Sequence, residues 1–107
     1  MKLYYFSEMP HHEYPDAEGD KYPSLRLAFP NTFFSPEIAR RNYQRYLDEY
    51  DFADQAGFDG LMINEHHSTP SCVNVSANMT AGILARTTKR AKLLILGNIL
   101  PIQENPV

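Results

Sequence analysis

The chain of 107 residues has no tryptophan and a single cysteine, Cys72. One thiol excludes any internal disulfide, and with it the disulfide-stapled class of small secreted domains. Glycine is sparse, at five residues. No GxGxxG, Walker or GxSxG pattern occurs, so dinucleotide, nucleoside triphosphate and hydrolase sites of those kinds find no support. Long runs of one charge are missing too. Arg40-Arg41 and Lys89-Arg90 are the longest basic runs, the net charge is −3 and the pI about 5.7. The electrostatic footprint of a nucleic-acid binder is absent. The longest nearly apolar stretch, around residues 93–101, is about half of the ~20 residues that span a bilayer. Met1–Phe6 is too short an apolar start for a secretory signal. These absences lead to the expectation of a cytoplasmic protein with neither nucleic acid nor membrane as partner.

What is present is ordinary globular composition, 43% hydrophobic and 21% charged. Lys2–Phe6 reads as a buried strand. Ser7–Phe34, with Pro10, Pro15, Pro23 and Pro30, is aperiodic and longer than most loops, which is typical of functional or mobile segments. Ser35 as cap, Pro36 in the first turn and Glu37 beside the positive helix end predict a helix start. Ala39, Tyr43, Tyr46, Leu47, Tyr50 and Ala53 recur at helical spacing, with the acidic Asp48, Glu49, Asp51 and Asp54 mostly on other faces. Gly57 is the expected stop, placing the helix over 36–56. Leu61–Ile63 is apolar at consecutive positions, the pattern of a strand covered on both faces. A second helix is predicted from Asn74 to Thr88 with Val75, Met79, Ile83 and Leu84 on its apolar side and Lys89-Arg90 at its end. Leu93–Leu96 completes the set, and Asn105-Pro106 would start a further helix.

The order β-α-β-α-β implies an α/β fold with parallel strands. Three strands and two helices leave two sheet edges bare and one face uncovered. The expectation is therefore a truncated β-α-β-α-β portion of a (β/α)8 TIM barrel, with residues 1–107 as one partial domain. A small module completed by association is the alternative.

Ligands of parallel folds bind at the carboxyl ends of the strands. That edge gathers Glu8, His11 and His12 after the first strand, Asn64, Glu65, His66 and His67 after the second, and Asn98 and Gln103 after the third. All four histidines of the chain fall in two of these segments. A histidine there can act as acid or base near neutral pH, and an adjacent carboxylate can fix its tautomer. Side chains leaving a strand alternate, so at most one of His66 and His67 should face a pocket; hydrogen bonds that merely tie the loop together would use the same residues. A zinc or iron site from these histidines and Glu65 is disfavoured, because the pairs are adjacent rather than at ligand spacing. No metal is expected. Gly97 ends the third strand and would let backbone approach a flat ligand. Cys72 reads as a buried thiol rather than a nucleophile.

Gly57-Phe58-Asp59-Gly60, an apolar strand, then Asn64-Glu65-His66-His67 resembles the bacterial-luciferase-like flavin-dependent monooxygenases. Thr87–Lys92 followed by Leu96–Pro101 and Asn105–Val107 is similar to that family's third strand and helix, and the segment from Tyr22-Pro23 to Asn31 matches one subgroup. The resemblance implies a (β/α)8 barrel of roughly 300 residues. It implies reduced FMN or a deazaflavin as cofactor, molecular oxygen and a small organic substrate as reactants, and a homo-oligomer or an association with a flavin reductase in the full-length form. By the same resemblance His66 is catalytic, Glu65 orients it, Gly97, Asn98 and Met9 contact the cofactor, and Pro10 and His67 line the substrate pocket. The family's phosphate-binding residues come from later strands. Two other readings stand beside it: a non-catalytic barrel segment that needs a partner chain, and a metal-dependent hydrolase on a similar barrel.

Overall fold

The computed structural model describes residues 1–67 and 70–102. The expected Gln103 and the helix start at Asn105-Pro106 lie outside them. Strand β1 (Tyr4–Phe6) is followed by a single turn α1 (Asp16–Gly19), helix α2 (Pro36–Gln55), strand β2 (Gly60–Ile63), helix α3 (Ala77–Thr87) and strand β3 (Lys92–Ile95). Short 3-10 turns occupy Asn31–Phe33 and Leu100–Ile102. The three strands form one parallel sheet in the order β1-β2-β3. The α/β alternation read from the sequence is present; α1 and the 3-10 turns are additions that no periodicity announced.

Helix α2 begins as its capping residues dictate. The Ser35 hydroxyl accepts the Ile38 N–H at 3.3 Å, and the stop is Gly57 at φ 91°, a left-handed conformation that glycine adopts without strain. Tyr46, Tyr50 and Ala53 are buried along its inner face. Asp54, expected on an outer face, is also buried. Its carboxylate accepts the backbone N–H groups of Lys89 (2.8 Å), Arg90 (3.1 Å) and Ala91 (2.7 Å). Those bonds, Ala91 foremost, hold its carboxyl below the usual range. Lys89 and Arg90, just past the end of α3, thus also tie that end to α2 through their backbone.

The Gly57–Gly60 motif is explained by the same corner. Phe58 packs against the core. Asp59 bonds the Lys2 ammonium at 2.7 Å and the Leu3 N–H at 2.9 Å. A Cβ on Gly60 would press into the Tyr4 ring and lie 3.0 Å from the Lys92 carbonyl, so a larger residue there would have to displace the Tyr4 side chain.

Helix α3 starts three residues later than its pattern suggested, with Ser76 as cap. The reason is that the Asn74 side chain is committed elsewhere, as described below. Its buried face is Ala77, Thr80 and Leu84, while Val75, Met79 and Ile83 are exposed. Of the four residues expected on the apolar side only Leu84 is on the inner face; the small Ala77 and Thr80 complete it.

Helices α2 and α3 pack on each other and both on β2, so both lie on one face of the sheet. Tyr5, Leu61, Ile63 and Leu93 meet them in the core, with the Tyr50 hydroxyl donating to the Met62 carbonyl at 2.8 Å. Neighbours point the opposite way. Tyr4, Phe6 and Leu94 are each about two-fifths exposed, which corrects the reading of the first strand as wholly buried. The second face is apolar and uncovered among the described residues.

Residues 7–34 pack around their own aromatic cluster. Phe29, 2% exposed, stacks on Phe33 at 4.9 Å and meets Tyr14 and Tyr22 at 4.6 and 5.5 Å. His11 is buried beneath, its Nε2 accepting the Ser35 N–H at 3.3 Å, and Glu13 pairs with Arg41 of α2. The segment is a long, self-packed loop tied to α2, not a structureless connection.

Candidate functional site at the carboxyl edge of the sheet

A cavity of about 260 Å³ opens at the carboxyl ends of the strands. Phe6 and Glu8 line it from β1, Asn64, Glu65 and His66 from β2, and Leu96, Gly97 and Ile99 from β3. The register Phe6↔Met62 and Ile63↔Ile95 levels the three strand ends, and this is what brings these residues together.

After β1 the chain turns at Met9, whose φ of 50° is unusual for a residue with a side chain. The Ser7 hydroxyl accepts the Met9 N–H at 3.1 Å, and the Met9 carbonyl accepts the Val73 N–H at 2.8 Å. The turn leaves Glu8 at the cavity and sends Met9 into the core, where it is fully buried. Met9 is therefore not among the residues facing the cavity, contrary to expectation. Pro10 is not a lining residue either: its carbonyl accepts the Tyr46 hydroxyl at 2.8 Å. His12 is exposed beside it and His11 is buried under the loop.

Of the adjacent histidines, His66 lines the cavity. Its Nδ1 stands 3.4 Å from Asn64 Nδ2 and 3.6 Å from Glu8 Oε2. His67 turns instead to Glu65, Nε2 to Oε1 3.4 Å. Glu65 thus does not orient His66, as the resemblance implied. Its buried carboxylate accepts the Ala77 N–H at 2.8 Å and the Ile99 N–H at 3.2 Å. Burial pushes its pKa up, but the two backbone donors and His67 together outweigh burial and hold it below the usual range. Glu65 is an ionised clamp between the start of α3 and the segment after β3. Gly97 lines the cavity, and a Cβ built there would meet nothing within 4 Å. Asn98 is exposed and is not among the lining residues.

Asn74 supports this corner and had been read only as a helix start. Its Nδ2 donates to the Asn64 carbonyl at 2.7 Å, and its own carbonyl accepts the His66 N–H at 3.2 Å. The Tyr43 hydroxyl lies 2.7 Å from Thr80 Oγ1, which donates to Asn74 Oδ1 at 2.8 Å. The one sequence signal for it is Asn74 two residues before Ser76, an Asx-turn pattern whose Ser76 N–H bond to Asn74 Oδ1 is formed at 3.4 Å. Arg26, from the long loop, had no signal; its Nη2 reaches Glu8 Oε2 at 3.1 Å.

The cavity combines apolar walls with a few convergent polar groups, the general composition of a small-molecule site. Asn64 presents Nδ2 to Glu8 and His66, while its Oδ1 is buried with no protein partner. Cys72 is buried, and burial pushes its thiol up, which removes it as a nucleophile. Among the described residues no group of three or more His, Cys, Asp or Glu side chains is placed to hold a metal ion. Among the described residues no helix is long and apolar enough to cross a membrane. No family model, no curated protein and no solved structure matches the chain.

Proposed function

We propose that this chain is the site-bearing part of a luciferase-like flavin-dependent monooxygenase built on a (β/α)8 barrel, with reduced FMN or a deazaflavin as cofactor. The observation that carries it is His66 at the carboxyl-edge cavity, with Glu8 and Asn64 on its Nδ1 side and a glycine on the neighbouring strand. The barrel is supported by the sheet. Strands in unbroken order with both helices on one face continue naturally into a barrel, whereas a doubly wound sheet reverses its order and covers both faces. The uncovered apolar face of Phe6 and Leu94 would then be barrel interior.

The bound flavin would supply the electrons that activate molecular oxygen for transfer to a small organic substrate. The chain's own residues do the rest. Gly97 leaves room for a flat ring, and Asn64 Nδ2 stands with Glu8 and His66 at its polar edge. Phe6, Leu96 and Ile99 offer apolar walls that keep water from it. His66, held on its Nδ1 side, keeps Nε2 for donating or accepting a proton in the cavity. Glu65, tied to backbone N–H groups, holds the strand ends in place and carries no proton. The flavin phosphate site of such a barrel lies on later strands, so the 107 residues alone are expected to be inactive and the test belongs to the full-length barrel. There His66→Ala should cut oxygen-dependent turnover of reduced flavin by more than about tenfold, since one positioned acid or base contributes ~10²–10⁴. Equal turnover in the variant removes His66 from the mechanism, and no flavin turnover by the full-length protein removes the reading.

A second reading, a non-catalytic barrel segment completed by a partner chain, is favoured by that same uncovered face. It predicts association that grows with concentration in size-exclusion chromatography with light scattering. A compact monomer at high concentration rules it out.

A further inference from the structure

The polar groups of the cavity converge on one atom, Glu8 Oε2. Asn64 Nδ2 donates to it at 3.1 Å, Arg26 Nη2 reaches it at 3.1 Å, and His66 Nδ1 stands off at 3.6 Å. A carboxylate oxygen offers about two lone-pair directions, so three donors oversubscribe it, and His66 is the one left beyond bonding distance. His66 Nδ1 therefore has two options. It can accept from Asn64 Nδ2, 3.4 Å away, which puts the ring proton on Nε2. Or it can carry the proton itself and donate to Glu8, which leaves Nε2 bare. The bond to an ionised carboxylate is the stronger of the two, so whichever donor Glu8 admits decides whether Nε2 meets a ligand as donor or as acceptor.

We propose that Glu8 is the positioning residue that sets the tautomer of His66, and that Arg26 competes with His66 for the same Glu8 oxygen. The loop of residues 7–34 is thereby coupled to the cavity. With Arg26 engaged, Glu8 is spent on the loop and His66 turns to Asn64. With Arg26 withdrawn by a ligand or by loop movement, the ring proton moves from Nε2 to Nδ1, which donates a hydrogen bond to Glu8 and leaves a bare, basic Nε2 toward the cavity. Glu65, the neighbour in sequence, has no part in this, since its oxygens face Ala77, Ile99 and His67. The inference rests on His66 being the proton-handling group of the cavity.

The test is long-range ¹H–¹⁵N spectroscopy of the imidazoles in the ¹⁵N-histidine-labelled chain at a pH where the rings are neutral, with the His66 signals identified by their loss in His66→Asn. Glu8→Gln should move the His66 ratio toward the Nε2–H form by at least about threefold, an effect within the range of exposed charge pairs. Its amide can donate to Nδ1, whereas the carboxylate can only accept. Arg26→Gln should move the ratio the opposite way, toward Nδ1–H. A folded Glu8→Gln chain with an unchanged ratio, or Arg26→Gln shifting the ratio in the same direction as Glu8→Gln, overturns the proposal. If Glu8→Gln does not fold, Arg26→Gln on the exposed loop decides alone. A ratio that responds while His66→Ala leaves flavin turnover unchanged keeps the positioning role and rejects the monooxygenase. An unresponsive ratio with turnover lost does the reverse.

Discussion

Asp54→Ala is expected to destabilise the chain by about 3 kcal/mol, because three backbone N–H groups lose a charged, buried acceptor and each such loss costs ~1–3 kcal/mol before water compensates. For a domain of this size that is a fall in Tm of roughly 10–20 °C, measured by thermal unfolding. The motivating contacts are those of Lys89, Arg90 and Ala91, at 2.7–3.1 Å. They fasten the turn that delivers β3 to the sheet. The sign of the pH dependence follows from the depressed carboxyl. A group whose folded pKa lies below its unfolded value of ~3.9 adds stability above that value and loses it as pH falls through the folded one. The parent chain should therefore lose more stability than Asp54→Ala does on acidification below about pH 4. Parallel losses in both would show that the turn does not depend on this carboxylate.

Glu65→Ala carries the second large effect, an expected destabilisation of about 2–3 kcal/mol by the loss of a buried clamp on two backbone donors. The Ala77 N–H at the start of α3 and the Ile99 N–H after β3 share this one carboxylate. Its removal should both lower stability and open the cavity wall, so the Ile99 amide should exchange faster even under conditions where the chain stays folded. Glu65→Gln keeps one acceptor oxygen and should lose about half as much. If the Ile99 amide exchanges at the same rate in Glu65→Ala, Glu65 is not the clamp. The two residues illustrate one rule of this fold: buried carboxylates fasten elements that are adjacent in space and distant in sequence.

Much of the fold was legible because it is governed locally. The start of α2 follows from Ser35, Pro36 and Glu37, and its end from Gly57, each a short-range demand of helix termini. The inner face of α2 follows from the spacing of its tyrosines. The candidate site was legible at the level of segments, since parallel topology sends the ends of β1, β2 and β3 to one edge. Where reading failed, long-range contacts had overridden local preference. Met79 and Ile83 look like a core face, but the buried face of α3 is Ala77, Thr80 and Leu84. Asp54 looks like a solvent-facing acid, and its acceptors' partners lie 35–37 residues away.

The sequence by itself determined the α/β alternation, the helix caps, the absence of disulfides and the gathering of Glu8, Asn64, Glu65, His66 and Gly97 at one sheet edge. These depend on residue type, spacing and strand order, which are one-dimensional quantities. Only the tertiary structure decided which carboxylate serves which histidine. Glu65 precedes His66 in the chain, yet a strand-end alternation turns it toward the backbone of α3 and toward His67. Glu8 is 58 residues from His66, yet it comes within 3.6 Å because the parallel register of β1 and β2 sets their carboxyl ends side by side. The left-handed turn at Met9 then leaves the acid at the cavity and the methionine in the core.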